Sequence, residues 1–130
     1  MSPSPSLRSR LGQVRGLGSA KEGAAHWWAQ RLTAVALVPL VFWLVASLAA
    51  LSGAGHAEVV AWLRGPIAPV AMVALLIAGF HHLQLGLQVV IEDYVHGEAA
   101  KIGLIITVKL ASALAALIAV LAVLRIAVGA

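Results

Sequence analysis

Three long stretches of the chain are almost free of charge, and short polar segments separate them. Leu32–Leu51, Ile67–Ile91 and Ile102–Leu124 each reach or exceed the roughly 17–25 residues that a helix needs to cross a hydrocarbon core of about 30 Å. Lys109 alone interrupts the third. Each stretch therefore predicts a transmembrane helix. Pro39 falls inside the first, where membrane helices tolerate a kink. The second would extend about 37 Å at 1.5 Å per residue, so tilt or protrusion at one end is expected. Ser52-Gly-Ala-Gly55 is a turn signal, and His56–Arg64 reads as a short interfacial helix with Trp62 at headgroup level. The second connection, residues 92–101, is polar and contains Gly97. The expected organisation is a basic N-terminal tail with an interfacial segment over residues 1–29, followed by a three-helix membrane domain over residues 30–127.

Composition strengthens that picture. Of 130 residues, 62% are hydrophobic and 11% charged, against roughly a quarter charged in a soluble domain. Too few polar side chains exist to cover a water-facing surface. The absence of cysteine excludes disulfides, thiolate zinc sites and cysteine-ligated iron–sulfur clusters within this chain. Basic residues exceed acidic ones, nine to five, but they gather near the N-terminus without interleaved aromatics, so an orientation signal explains them better than nucleic-acid binding. Arg15, Lys21, Arg31 and Lys101 lie on one side of the three spans, and Arg64 and Arg125 on the other. The fold class is thus all-α, an integral membrane bundle of three transmembrane helices. Its N-terminus is expected in the cytoplasm and its C-terminus on the opposite side. The Ser- and Arg-rich first 23 residues loosely match a transit peptide, but a disordered basic tail is the favoured reading. A bacterial inner membrane is the expected location, with the mitochondrial inner membrane as the alternative.

The second span carries the candidate chemistry: His82-Leu-Gln-Leu-Gly86-Leu-Gln-Val-Val-Ile-Glu92-Asp93-Tyr94-Val95. An ionisable side chain at membrane depth is costly, and by default it marks a functional site. On a helix, Gly86, Val89 and Asp93 fall within roughly 40° of His82 and form one stripe with it. An imidazole suits metal ligation, and haem iron is often held that way. A structural interhelical hydrogen bond is the alternative role for His82. Gly86, one turn on, either offers a recess for a flat macrocycle or lets two helices approach closely. His81 is a rival ligand that points about 100° away. Asp93 and Tyr94 lie about 16 and 18 Å along the axis, too far to share the iron. They suit a separate quinone site at the water boundary, with the phenol donating to a carbonyl and the carboxylate relaying protons. Interfacial anchoring is their alternative role.

Arg31 sits at the mouth of the first span, after His26, Trp27 and Trp28. It reads as an orienting charge within an aromatic belt. With His26 it is also a candidate partner for haem propionates, to which a guanidinium offers a bidentate fork. Lys109 is expected to snorkel to the cytoplasmic surface. One well-placed histidine supplies half of a six-coordinate haem site, so a partner subunit is expected to supply the other ligand. A two-fold pair of this chain, with haem on its axis, is the alternative.

At these residues the chain resembles the smaller hydrophobic anchor of succinate dehydrogenase, respiratory complex II. The resemblance covers the basic tail, three spans, Arg-Leu-Thr-Ala at Arg31–Ala34 and the His…Gly…Asp-Tyr-Val pattern. It implies that His82 ligates a haem b shared with a second cytochrome b anchor subunit, while Arg31 approaches a propionate. It further implies that Tyr94 hydrogen-bonds ubiquinone with support from Asp93. The other implied partners are an iron–sulfur subunit and a flavoprotein subunit that oxidises succinate; this chain alone would not. Membrane lipid is its solvent, and no nucleic-acid partner is expected. A fumarate reductase anchor is the nearest alternative. A small proton-coupled transporter or structural subunit without haem is the more distant one, and the lack of an acid deep within any span counts against it.

Overall fold

The computed structural model describes the backbone from Ser4 and the side chains from Gly23 onward. Four helices follow in order: α1 (Ser4–Ala50), α2 (His56–Leu63), α3 (Ala68–Tyr94) and α4 (Glu98–Val128). Among the described residues there is no strand. Among the described residues three segments, Gly23–Ala50, Ala68–Tyr94 and Glu98–Val128, are long and apolar enough to cross a membrane. Each helix outruns the apolar stretch that predicted it. The reason is that hydrophobicity measures bilayer thickness, whereas backbone hydrogen bonding continues through interfacial polar residues such as Glu92, Asp93 and Tyr94. The basic segment expected to be disordered is continuous with α1 in backbone conformation from Ser4. α1 also runs unbroken through Pro39.

α3 is the central element, packed against α1 on one side and α4 on the other, whereas α1 and α4 do not meet among the described residues. Among the described residues only Leu63, Ala68, Leu85 and Ile91 are buried, while side chains such as Phe42, Ile77, Leu110 and Ile118 lie exposed. A water-soluble bundle could not leave such surfaces uncovered. The chain's apolar mass faces outward, as lipid or apolar partner helices require. Its location is the membrane.

The short helix α2 forms where the sequence predicted one and ties the far end together. Gly53 takes a positive φ of 87° in the turn before it, and the Glu58 carboxylate accepts from the Gly55 N–H at 2.8 Å, closing the first turn. Trp62 stacks on Trp43 of α1, with ring centroids 5.7 Å apart and planes 21° from parallel. Arg64 Nε donates to the Ile126 carbonyl at 2.9 Å, placing a cation at the negative end of α4. Gly129 then turns left-handed at φ 79°. The amides of Gly129 and Ala130 reach back to the Ile126 and Arg125 carbonyls, the paired bonds of a Schellman terminus.

Candidate functional site

α1 and α3 run antiparallel, and three contacts fix their register. A Cβ added at Gly79 would meet Leu37, one added at Gly86 would meet the Gln30 amide at 3.9 Å, and Thr33 lies between these levels, bonded to His82. His26, Gln30, Thr33 and Leu37 follow the i, i+4, i+7, i+11 spacing of a single helical stripe. That stripe faces α3 and carries polar atoms over the N-terminal part of the apolar segment Gly23–Ala50. His82 Nδ1 is 3.0 Å from Thr33 Oγ1. The Thr33 hydroxyl is also 2.7 Å from the Ala29 carbonyl and 3.1 Å from that of Gln30. Nearer the N-terminus, Gln30 Oε1 about one helical turn away and His26 Nε2 about two turns away are enclosed without hydrogen-bond partners. A buried polar atom in that condition costs about 1–3 kcal/mol, so both are primed for a further ligand or water.

Beside this interface opens an apolar groove of about 430 Å³, lined by Ala34, Leu37, Val38, Val41, Phe42, Val45 and the His82 ring. Arg31 falls within roughly 20° of Val38 and Phe42 on the helical wheel, so it closes the N-terminal end of the same face. Its guanidinium is held over the Trp27 ring, 5.4 Å from the centroid, an arrangement that fixes the charge while leaving its hydrogen-bond donors free. An apolar slot with an imidazole on its flank and a guanidinium at one end matches a flat, largely apolar macrocycle carrying carboxylates on one edge. The residues present fit a haem. Gly86 lies outside the groove lining and faces α1 at the level of Gln30, the position that suits close helix packing.

His81 occupies a different environment. It lines a smaller recess of about 160 Å³ between α3 and α4, together with Ile77, Phe80, Gln84, Lys109, Ser112 and small alanines. From Gln84 a ladder runs toward the end of α3. Gln84 donates to Gln88 at 3.3 Å, and Gln88 to Glu92 at 2.8 Å. The one ion pair among the described residues joins Lys101 to Glu98 at 3.7 Å, so Lys109 has no carboxylate partner there.

Asp93 and Tyr94 end α3 and are exposed, Tyr94 to 78%. Among the described residues neither side chain makes a hydrogen bond within the chain. They stand three turns from His82, as the spacing predicts, and do not join it in one site. Thr33 and Gln30 are the residues the sequence reading did not single out as functional. Their signal is the stripe they share with His26.

The family described as succinate dehydrogenase/fumarate reductase transmembrane subunit matches residues 5–124 of this chain. A succinate dehydrogenase hydrophobic membrane anchor subunit of Rickettsia bellii is 37% identical over 109 residues, 83% of this chain and 86% of the relative. The subunit of the same description from Paracoccus denitrificans is 33% identical over 117 residues, 90% of each chain. A succinate dehydrogenase membrane anchor subunit of Reclinomonas americana is 33% identical over 85 residues, covering 63% of this chain and 71% of its own. No solved structure matches at comparable significance. With three apolar helices, one central and flanked by the other two, and a match along nearly its whole length, the chain belongs to the succinate dehydrogenase/fumarate reductase transmembrane subunit family, as a hydrophobic membrane anchor.

Proposed function

We propose that this chain is an anchor of succinate:ubiquinone oxidoreductase that holds one side of a b-type haem and contributes to the ubiquinone-reduction site. The observation that carries the reading is the His82 imidazole on the flank of an apolar groove, with Arg31 on the same helical face one turn before the groove's N-terminal end. His82 would hold the haem through a ring nitrogen, together with a histidine of a second cytochrome b anchor subunit. Arg31 would receive a propionate in its guanidinium fork, with His26 as a second donor. When bound, the haem supplies a one-electron redox centre beside the quinone site. Gly86 allows α1 to close against α3 so that the groove keeps its shape.

At the end of α3, the Tyr94 hydroxyl donates to a ubiquinone carbonyl and fixes the ring. Reduction to the quinol consumes two electrons and two protons. The electrons come from an iron–sulfur partner subunit, which receives them from a flavoprotein that oxidises succinate. Asp93, at the water boundary, passes protons from cytoplasmic water toward the quinone oxygens. The excess of Arg and Lys near the N-terminus orients this end toward the cytoplasm, where both soluble partners and protons are available.

A reduced-minus-oxidised absorption spectrum tests the reading on the complex purified in mild detergent through a tag on this chain. The expected result is b-type haem bands at about one haem per tagged chain, lost in the His82→Ala complex. A clean, fully assembled wild-type complex without those bands would leave a haem-free quinone anchor and remove His82 as a ligand.

A further inference from the structure

An imidazole that is to bind a metal must present an unprotonated nitrogen, and in a neutral ring only one of the two nitrogens is unprotonated. The partner of the other nitrogen decides which one it is. For His82 that partner is Thr33, on a different helix.

A threonine hydroxyl has one proton and two acceptor lone pairs. Both Ala29, at 2.7 Å, and Gln30, at 3.1 Å, offer carbonyl oxygens to that proton. Carbonyls can only accept. The hydroxyl proton is therefore committed within α1, to the nearer Ala29 carbonyl, and a lone pair of Oγ1 faces His82 Nδ1 at 3.0 Å. Nδ1 must be the donor. Nε2, on the other side of the ring, is then the nitrogen with the free lone pair.

We propose that Thr33 is a positioning residue for His82: its oxygen accepts from Nδ1–H, fixes the ring tautomer and orientation, and leaves Nε2 ready to bind haem iron. The inference rests on the reading of His82 as a haem ligand. Three features support it. The bond is part-buried between two membrane-spanning segments, where water competes less for Nδ1–H than at an open surface. The β-branched Thr33 side chain is locked by its own bond to α1, so the acceptor is rigid. The bond also sits at the middle level of the three that set the α1–α3 register, between Leu37 with Gly79 and Gln30 with Gly86. Ligand orientation and helix register are thereby one arrangement.

A threonine that only glued two helices together would affect assembly without tuning the iron. A threonine that orients the ligand would also set its basicity, because an N–H donated to an acceptor makes the opposite nitrogen a better donor to ferric iron. The test compares Thr33→Val, which keeps the shape and removes the oxygen, with Thr33→Ser, which keeps the oxygen. Both are measured in the whole purified complex by haem affinity, redox potential of the b-type bands and the ferric electron paramagnetic resonance signal.

Thr33→Val is expected to weaken haem retention roughly tenfold, the lower end of what loss of such a partner costs at metal sites. Its potential should rise, since the ferric form loses the better donor. Thr33→Ser should restore both. Should Thr33→Val fail to assemble, Thr33→Ala removes the oxygen without bulk and carries the same reading. Unchanged haem retention and potential in an assembled hydroxyl-free variant would overturn the proposal, as would equal disturbance by Val and Ser. His82→Ala separates the two claims. Haem retained in that complex sinks the ligand reading itself, whereas haem lost there but untouched by Thr33 substitution sinks only the role of Thr33.

Discussion

Two adjacent histidines on α3 stand in opposite circumstances. His82 is half-buried against α1, bonded through Nδ1 to a rigid hydroxyl, and borders a large apolar groove. His81 is exposed in a recess less than half that size, shared with a lysine, a glutamine and a serine, and its ring makes no hydrogen bond within the chain among the described residues. One step of about 100° around a helix separates the two faces. Chemistry at membrane depth is therefore not conferred by residue type. The α1 face offers a ligand an oriented nitrogen and apolar walls. The α4 face offers a smaller recess in which the imidazole has no hydrogen-bond partner among the described residues.

The sharpest way to break the comparison is to delete each ring in turn. His82→Ala should abolish the b-type bands in the purified complex, while His81→Ala should leave haem content within about twofold of wild type, because no bond from the His81 ring supports the groove. Haem content is read by extraction and spectroscopy, normalised to the tagged chain. A haem-free His81→Ala complex beside a haem-replete His82→Ala complex would invert the assignment of the two faces.

Next in size is the end of α3, where both faces reach the water boundary. Tyr94→Phe should lower ubiquinone reduction roughly a hundredfold, the lower end of what a placed proton donor contributes. Succinate oxidation with a soluble dye as acceptor should be untouched, and so should haem content. Asp93→Asn should cost roughly tenfold on the same assay, since it removes a proton relay but leaves the phenol in place. If dye reduction fell in parallel, the defect would lie in assembly with the soluble subunits instead of at the quinone.

Much of this was legible in the sequence. Apolar runs gave three spans because backbone groups in lipid must be satisfied helically, and His56–Arg64 gave α2 from its turn signal and its mixed polarity. The axial distance from His82 to Tyr94 follows from helical rise alone. The helix ends were less legible, because α3 and α4 continue through polar residues that hydropathy counts as loop. Trp62 was expected as a headgroup anchor, and its stacking on Trp43 depends on the α1–α2 turn, which no local pattern specifies. The partner of His82 was hidden for the same reason. Thr33 lies 49 residues away, and only the antiparallel register of two helices brings it to Nδ1.

A smaller effect is expected from Lys109. It has no carboxylate partner among the described residues and lies on the face without an oriented ligand. Lys109→Met should leave the potential of the b-type bands and quinone turnover within about twofold of wild type. Removing a charge from the span should also favour membrane insertion, by about 1 kcal/mol after allowing for snorkelling of the lysine. A change in potential comparable to that of Thr33→Val would mean that the α4 face participates in tuning the iron, and the contrast between the faces would fail.

The smallest effect tests whether the far end of α4 is held independently of either face. Arg64 donates to the Ile126 carbonyl at the last turn of α4, where a cation opposes the helix dipole and contributes about 0.3–1 kcal/mol. Arg64→Ala should loosen only that turn. The Gly129 and Ala130 amides, which close the helix on the Ile126 and Arg125 carbonyls, should exchange hydrogen about two- to fivefold faster, the rate ratio equivalent to that energy. Amides around Thr33 and His82 should keep their protection, because α2 holds α4 at the end opposite Asp93 and Tyr94. Faster exchange at His82 would mean that the groove depends on α4 being anchored through α2. The two faces of α3 would then be one mechanical unit despite their different chemistry.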